Sequence, residues 1–155
     1  MTNLASPDYY CVMGNPVAHS RSPWIHARFA ALTGQVLRYD RRLIALDGFA
    51  QGLRDFLAEG GRGCNITVPF KFAAAEVAQH FSPRAQLAQA ANTLTVRDDG
   101  IYADNTDGAG LVADIERNAG VRLAGRDVLL IGAGGAAAGV LGPLLAAGPA
   151  RLTVV

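Results

Sequence analysis

Between Val128 and Leu141 the chain reads VLLIGAGGAAAGVL: an apolar tetrad, a glycine cluster, then an alanine-rich run. No other stretch limits the fold as tightly. Val128 to Ile131 predicts a strand apolar on both faces, as strands of parallel sheets are. The glycines predict a tight turn, the run to about Ala147 a helix with a kink at Pro143, and Leu152 to Val155 a second strand. That order is one βαβ unit, which requires parallel strands joined by a crossover helix. Gly132, Gly134 and Ala137 fit G-x-G-x-x-A, in which the first glycine makes the turn and the second lets the backbone approach a pyrophosphate. The helix N-terminus adds partial positive charge. A glycine- and alanine-rich helix packed closely on a sheet gives the same pattern. The residue that reads the ribose, or its 2′-phosphate, falls about 20 residues on, at or just past Val155, so these residues do not write the choice between NAD and NADP.

A membrane span is the competing reading of Val128 to Ala150, which carries no charge and spells GxxxG from Gly135 to Gly139. Six glycines, with Pro143 and Pro149, break the stretch, and Arg126 and Arg151 flank it symmetrically. Half of the 155 residues are apolar, enough for a real core, and the formal charge is only +1. With no basic run, nucleic acid and acidic membrane surfaces are not expected partners. Cys11 and Cys64 lack metal-ligand spacing and read as two small buried thiols in a reducing compartment. The start, MTNLASPDYYCVMG, has no signal-peptide pattern, and a cytoplasmic location is expected.

Upstream, strand and helix alternate. Tyr9 to Gly14 predicts a strand. Ser22-Pro23 predicts a helix capped by Ser22, with Ile25, Phe29 and Leu32 at i, i+4 and i+7. Val36 to Ile44 predicts a strand, and Asp47 caps a helix with Phe49, Leu53 and Phe56 on one face. Cys64 to Val68 predicts a strand, Lys71 to His80 a helix, and Ser82-Pro83 a capped helical turn. Asp98-Asp99-Gly100 predicts a hairpin turn between Asn92 to Arg97 and Ile101 to Ala103, an antiparallel pair at the edge of a mostly parallel sheet. Asp107 to Asn118 is amphipathic through Leu111, Ile115 and Ala119 and ends at Gly120. The fold class expected is α/β: a mixed, mostly parallel sheet flanked by helices, then the first βαβ of a Rossmann-type unit. The polar patch Arg122 to Asp127 marks the boundary, with residues 1–106 as one domain and 107–155 as a linker helix plus the second unit.

Lys71 is the only lysine beside thirteen arginines. An arginine stays charged, whereas a lysine gives up its proton when burial or positive potential disfavours the cation. A helix start is such a place, so a lone titratable amine there is a candidate general base, against the alternative of a solvated surface lysine. Asp107 in DNTDG reads as a helix N-cap or a functional carboxylate. Ser20 and Ser22 in HSRSP read as cap residues or as hydroxyls suited to a carboxylate. His19 and His26 lack ligand spacing and read as structural or solvated.

The motifs GNPVAHSRSP (Gly14 to Pro23), NITVPFK (Asn65 to Lys71), AANT (Ala90 to Thr93), DNTDG (Asp104 to Gly108) and GAGGA (Gly132 to Ala136) together resemble the shikimate dehydrogenases. The resemblance covers nearly all of this chain and somewhat more than half of a typical family member. It implies a substrate domain followed by an NADP-binding Rossmann domain, with a C-terminal helix returning to the first. It implies that Ser20 and Ser22 bind the substrate carboxylate, that Thr67, Asn92 and Asp107 bind ring hydroxyls, and that Lys71 accepts the proton. Gly132, Ala133, Gly134, Gly135 and Ala136 are then the NADP loop. The implied reaction interconverts shikimate and 3-dehydroshikimate in aromatic amino-acid biosynthesis. Lys71 and Asp107 form a coupled pair with roles not separable from sequence. Ala138 stands where relatives often carry a basic residue, which leaves the backbone contacts of the loop unaffected. A quinate/shikimate dehydrogenase using NAD is the nearest alternative, with VPFK, rather than an MPNK-like form, leaning against it. A shikimate-binding fragment without turnover is another. A monomer or homodimer is expected, and if the chain ended at Val155, a free sheet edge at Leu152 to Val155 would favour pairing with another chain.

Overall fold

A computed structural model describes residues 6–155. The elements run β1 (Asp8–Gly14), α1 (Ser22–Thr33), β2 (Leu37–Leu43), α2 (Phe49–Ala58), β3 (Gly61–Ile66), α3 (Lys71–Glu76), β4 (His80–Phe81) and α4 (Pro83–Ala88). They continue with β5 (Thr93–Arg97), β6 (Gly100–Asp104), α5 (Asp107–Ala113), β7 (Asp127–Leu130), α6 (Gly135–Ala146) and β8 (Arg151–Val154). Six strands form one sheet in the order β2-β1-β3-β5-β6-β4, and β7 and β8 form a separate parallel pair. Only β5 runs against its neighbours.

The main core lies on one face of the six-stranded sheet. Cys11 and Met13 of β1, Cys64 and Ile66 of β3, Leu94 of β5 and Ala103 of β6 meet Phe49, Leu53 and Phe56 of α2 and Ala74 of α3. Alternation sends Tyr10, Asn65, Thr93 and Thr95 to the other face, beside His26 of α1. The two thiols are free and buried, directly opposite each other on adjacent strands. Both sit in the apolar layer, and the neighbouring Cys64 sulfur, with burial, pushes the Cys11 thiol far up.

Several boundaries differ from the sequence reading. Helix α1 does not bury its apolar stripe: Phe29 is 56% and Leu32 66% exposed, and only Ala30 is buried. His26 stacks on Tyr39 at 4.1 Å, so α1 rests on β2 through His26 and Ala30, one helical turn apart. Ser22 is not its cap; the cap residue is Arg21, without a side-chain bond. Gly48, not Asp47, caps α2, because Gly48 N–H turns back to the Ala45 carbonyl. Helix α3 stops at Glu76, since Gln79 N–H goes to the Ile101 carbonyl and His80 and Phe81 join the sheet beside β6. The hairpin β5–β6 is therefore internal, with β4 outside it. Ser82 does cap α4, its Oγ accepting from Ala85 N–H at 3.2 Å.

The helix expected from Asp107 to Asn118 is α-helical only to Ala113, and Asp114–Asn118 makes a π-helical turn. The wider turn sends Val112 and Ile115, rather than Leu111, toward a second cluster built on Leu123, Val140 and Leu144. Strand β7 is covered on one face only. Val128 and Leu130 join that cluster, while Leu129 and Ile131 are exposed. Helix α6 carries Pro143 inside it, and the Pro143 ring packs where a side chain at Gly108 would lie. No helix among the described residues is long and apolar enough to cross a membrane.

Candidate functional site

The carboxyl ends of β1, β3 and β6 and the start of the reversed β5 share one rim of the sheet, the place where open α/β sheets hold ligands. A cleft of about 270 Å³ opens there, lined by Ser20, Ser22, Asn65, Thr67, Lys71, Asn92 and Asp107, with His19 beside them. The loop after β1 is pinned by Asn15, whose N–H donates to the Val68 carbonyl at 2.9 Å and whose Nδ2 donates to the Ile44 carbonyl at 2.8 Å. Gly14 must lack a side chain, because a Cβ there would meet Thr67 Cγ2 at 2.3 Å. Ser20 Oγ donates to Ser22 Oγ at 3.1 Å and accepts from Ser22 N–H at 3.3 Å, so two hydroxyls stand together at the start of α1.

Lys71, the first residue of α3, donates from Nζ to Asp107 Oδ2 at 2.7 Å, and the two side chains are 13% and 24% exposed. Asp107 is not a cap; Thr106 occupies that position, leaving the carboxylate free to face Lys71. Asn92 Nδ2 donates to Asp107 Oδ1 at 3.0 Å, and Asn92 Oδ1 accepts from Thr106 N–H at 3.0 Å. Both carboxylate oxygens are thus engaged, one by a cation and one by an amide. The arrangement can hold a proton on an amine or pass it to one, beside hydroxyl and amide groups suited to a small polyol carboxylate.

Sequence reasoning missed three polar residues here. Asn65 accepts from Tyr39 Oη at 2.7 Å, and alternation between buried Cys64 and Ile66 was the signal that turned it toward the cleft. His19, expected to be structural or solvated, lines the cleft. Asn105 lies beneath it, 1% exposed, with no signal beyond its place in DNTDG.

A second cavity, of about 400 Å³, lies between Thr67, Val68, Pro69, Lys71 and Phe72 on one side and Gly134, Gly135 and Ala136 on the other. It shares Thr67 and Lys71 with the polar cleft. Gly132 has φ 107°, a conformation glycine adopts readily, and a Cβ at Gly132 or Gly134 would meet nothing within 4 Å. The first-turn N–H groups of the twelve-residue helix α6 have no intrahelical acceptor. Open backbone, free donors and a helix N-terminus fit the pyrophosphate of a dinucleotide, and Gly132, Ala133, Gly134, Gly135 and Ala136 are the residues that would hold it.

A mixed α/β sheet with an amine–carboxylate pair on its rim, joined to a βαβ unit whose glycine turn opens on the lysine of that pair, defines a substrate-binding unit of the dinucleotide-linked α/β class. More particularly, the chain belongs to the family described as the shikimate dehydrogenase substrate binding domain, which matches residues 12–94. Among curated relatives, shikimate dehydrogenase (NADP(+)) of Acidovorax sp. (strain JS42) is 72% identical over 151 residues, covering 97% of this chain and 54% of the relative. The protein of that name from Paracidovorax citrulli (strain AAC00-1) is 68% identical over 155 residues. The chain spans about half the length of the curated relatives it matches. Among solved structures, shikimate 5-dehydrogenase from Thermus thermophilus in complex with NADP(H) and shikimate aligns at TM-score 0.84 and 32% identity, over 95% of this chain and 56% of that one. Shikimate dehydrogenase from Aquifex aeolicus aligns at TM-score 0.89 and 27% identity, over 99% and 57%.

Proposed function

We propose that this chain is the substrate-binding part of an NADP-dependent shikimate dehydrogenase, an oxidoreductase that reversibly reduces 3-dehydroshikimate to shikimate on the chorismate route to aromatic amino acids. The observation that carries it is the Lys71–Asp107 pair at the junction of the polar cleft and the glycine-loop cavity. Residues 1–106 form the substrate domain, and 107–155 a linker helix with the start of the dinucleotide-binding domain. The Ser20 and Ser22 hydroxyls bind the substrate carboxylate, and Thr67, Asn92 and Asp107 orient the ring hydroxyls. Lys71 Nζ takes the proton of the reacting hydroxyl in the oxidative direction and returns it in the reductive one. Asp107 holds that amine toward the substrate, and Asn92 holds Asp107. When bound at the loop Gly132 to Ala136, NADP supplies the hydride acceptor, and NADPH the donor. The protein works in the cytoplasm as a monomer or homodimer on a small-molecule substrate.

The test follows absorbance at the reduced-nicotinamide band after the native protein is mixed with shikimate and NADP, with quinate and NAD as parallel controls. Turnover specific to shikimate and NADP is expected. Lys71→Ala is expected to lower kcat by at least about a hundredfold, the usual scale of a lost general base, while calorimetry still detects shikimate binding. Near-normal turnover in that variant removes Lys71 from the mechanism, and turnover with quinate and NAD alone assigns the protein to the other reaction.

A further inference from the structure

Asn105 is the one buried polar side chain among the described residues, and both ends of its amide are used. Nδ2 donates to the Ala90 carbonyl at 2.9 Å, and Oδ1 accepts from Asp107 N–H at 3.2 Å. Its own N–H donates to Asp104 Oδ1 at 2.7 Å, a carboxylate already clamped by Arg84 and Ser82. The turn into α5 is therefore held from beneath by Asn105 and from the cleft side by Asn92. Asp107, the first residue after that turn, takes its position from both.

Helix α6 reaches the same point. A Cβ at Gly139 would lie 2.7 Å from both Nδ2 and Oδ1 of Asn105, so the helix backbone rests directly on the amide. One turn earlier on the same face, a Cβ at Gly135 would lie 3.0 Å from Lys71 Cβ. The GxxxG of the sequence is thus the strip along which the helix behind the glycine loop touches both the lysine and the asparagine beneath its carboxylate partner. An amide left unpaired at such a site carries a desolvation cost that an apolar residue would avoid.

We propose that Asn105 is a positioning residue: it keeps the Asp107 carboxylate on Lys71 Nζ and ties that pair to helix α6. This rests on reading Lys71 and Asp107 as the reacting pair. The groups that line the cleft with the amine include Asp107 from α5, Asn92 just before β5, and Thr67 and His19 from the loops after β3 and β1, and α6 carries no titratable side chain.

Lys71 is the only lysine of the 155 residues, and in protein grown on ¹³C-lysine the Cε signal that Lys71→Arg removes is the one whose pH titration reports the pair directly. Asp107→Asn sets the scale, by removing the carboxylate charge. Asn105→Ala is expected to move the titration midpoint toward lower pH by at least half as much. Leu53→Ala, a core truncation in α2, apart from α5 and α6, is expected to leave it in place. If Asn105→Ala does not fold, Gly139→Ala, which presses on the amide, is expected to move the midpoint in the same direction. A midpoint unchanged in whichever of these two variants is folded, or moved as far by Leu53→Ala, overturns the proposal. The signal is read without substrate or cofactor, so failed positioning is distinguishable from failure of the assigned reaction, which the turnover assay reads separately.

Discussion

Asp104 sits at the end of β6 with three donors on its carboxylate: Arg84 from Nε at 2.6 Å and from an η nitrogen at 2.5 Å, Ser82 Oγ at 2.6 Å, and Asn105 N–H. The guanidinium foremost, with the hydroxyl and amide, holds its pKa at about 2, against about 3.9 for a free aspartate. A lowered carboxylate contributes stability that is complete above the unfolded value and lost as pH falls through the folded one. Arg84→Ala is therefore expected to lower the melting temperature at neutral pH and to lose less than the parent between about pH 4 and pH 2. Parallel acid curves for the two proteins would sink this assignment. His26 has the opposite chemistry. Burial against Tyr39 lowers its pKa, with Asn65 partly offsetting it, so its neutral form is favoured and its contribution is lost as pH falls below about 6.5. His26→Gln is expected to lose less melting temperature than the parent between pH 7 and pH 5, and a loss equal to the parent's would show that the ring titrates freely. At this scale the sequence singled out Lys71, because it is the only lysine, and Asp107, because a carboxylate at a helix start stands out. Asn105 did not stand out, because an asparagine in a loop motif looks solvated until a helix is laid over it.

At the scale of elements, α5 and α6 leave no room for a side chain at Gly108. A Cβ at Gly108 would meet Pro143 Cγ at 2.5 Å and the Gly139 carbonyl at 2.7 Å, neither of which is a flexible chain end. Gly108→Ala is expected to destabilise by about 1–3 kcal/mol, the range for overpacking a tight contact, read as a lower denaturant midpoint at unchanged slope. An unchanged midpoint would mean that the two helices slide apart without cost. Helix α2 was legible because Phe49, Leu53 and Phe56 share a face and all three are buried. Helix α1 was legible as a helix, but its apolar stripe misled, since the packing residues are His26 and Ala30. The sequence extends α3 to His80, the first residue of β4, because an alanine-rich run has high helix propensity, and two residues pairing with β6 outweigh it.

Over the described residues as a whole, most buried apolar side chains fall into two clusters, one under the six-stranded sheet and one between α6, β7 and the π-helical turn. Leu144→Ala is expected to cost about 2–5 kcal/mol and to raise hydrogen exchange in β7, α6 and β8 while β1 and β3 stay protected. Equal loss of protection in both sheets would show one cooperative unit in place of the proposed two. The sequence by itself determined the alternation of strands and helices, the βαβ with its glycine turn, and the five motifs that carry the family resemblance. Those features depend on local periodicity, turn chemistry and residue type, which are present in any window of the chain. Only the tertiary structure decided that the strand ends of β1, β3 and β6 share a rim and that the expected pair of Lys71 and Asp107, 36 positions apart, is a direct contact of 2.7 Å. It also decided that Asn105 is buried rather than solvated, because those relations depend on which helix covers which turn, and no local pattern of residues encodes that distance.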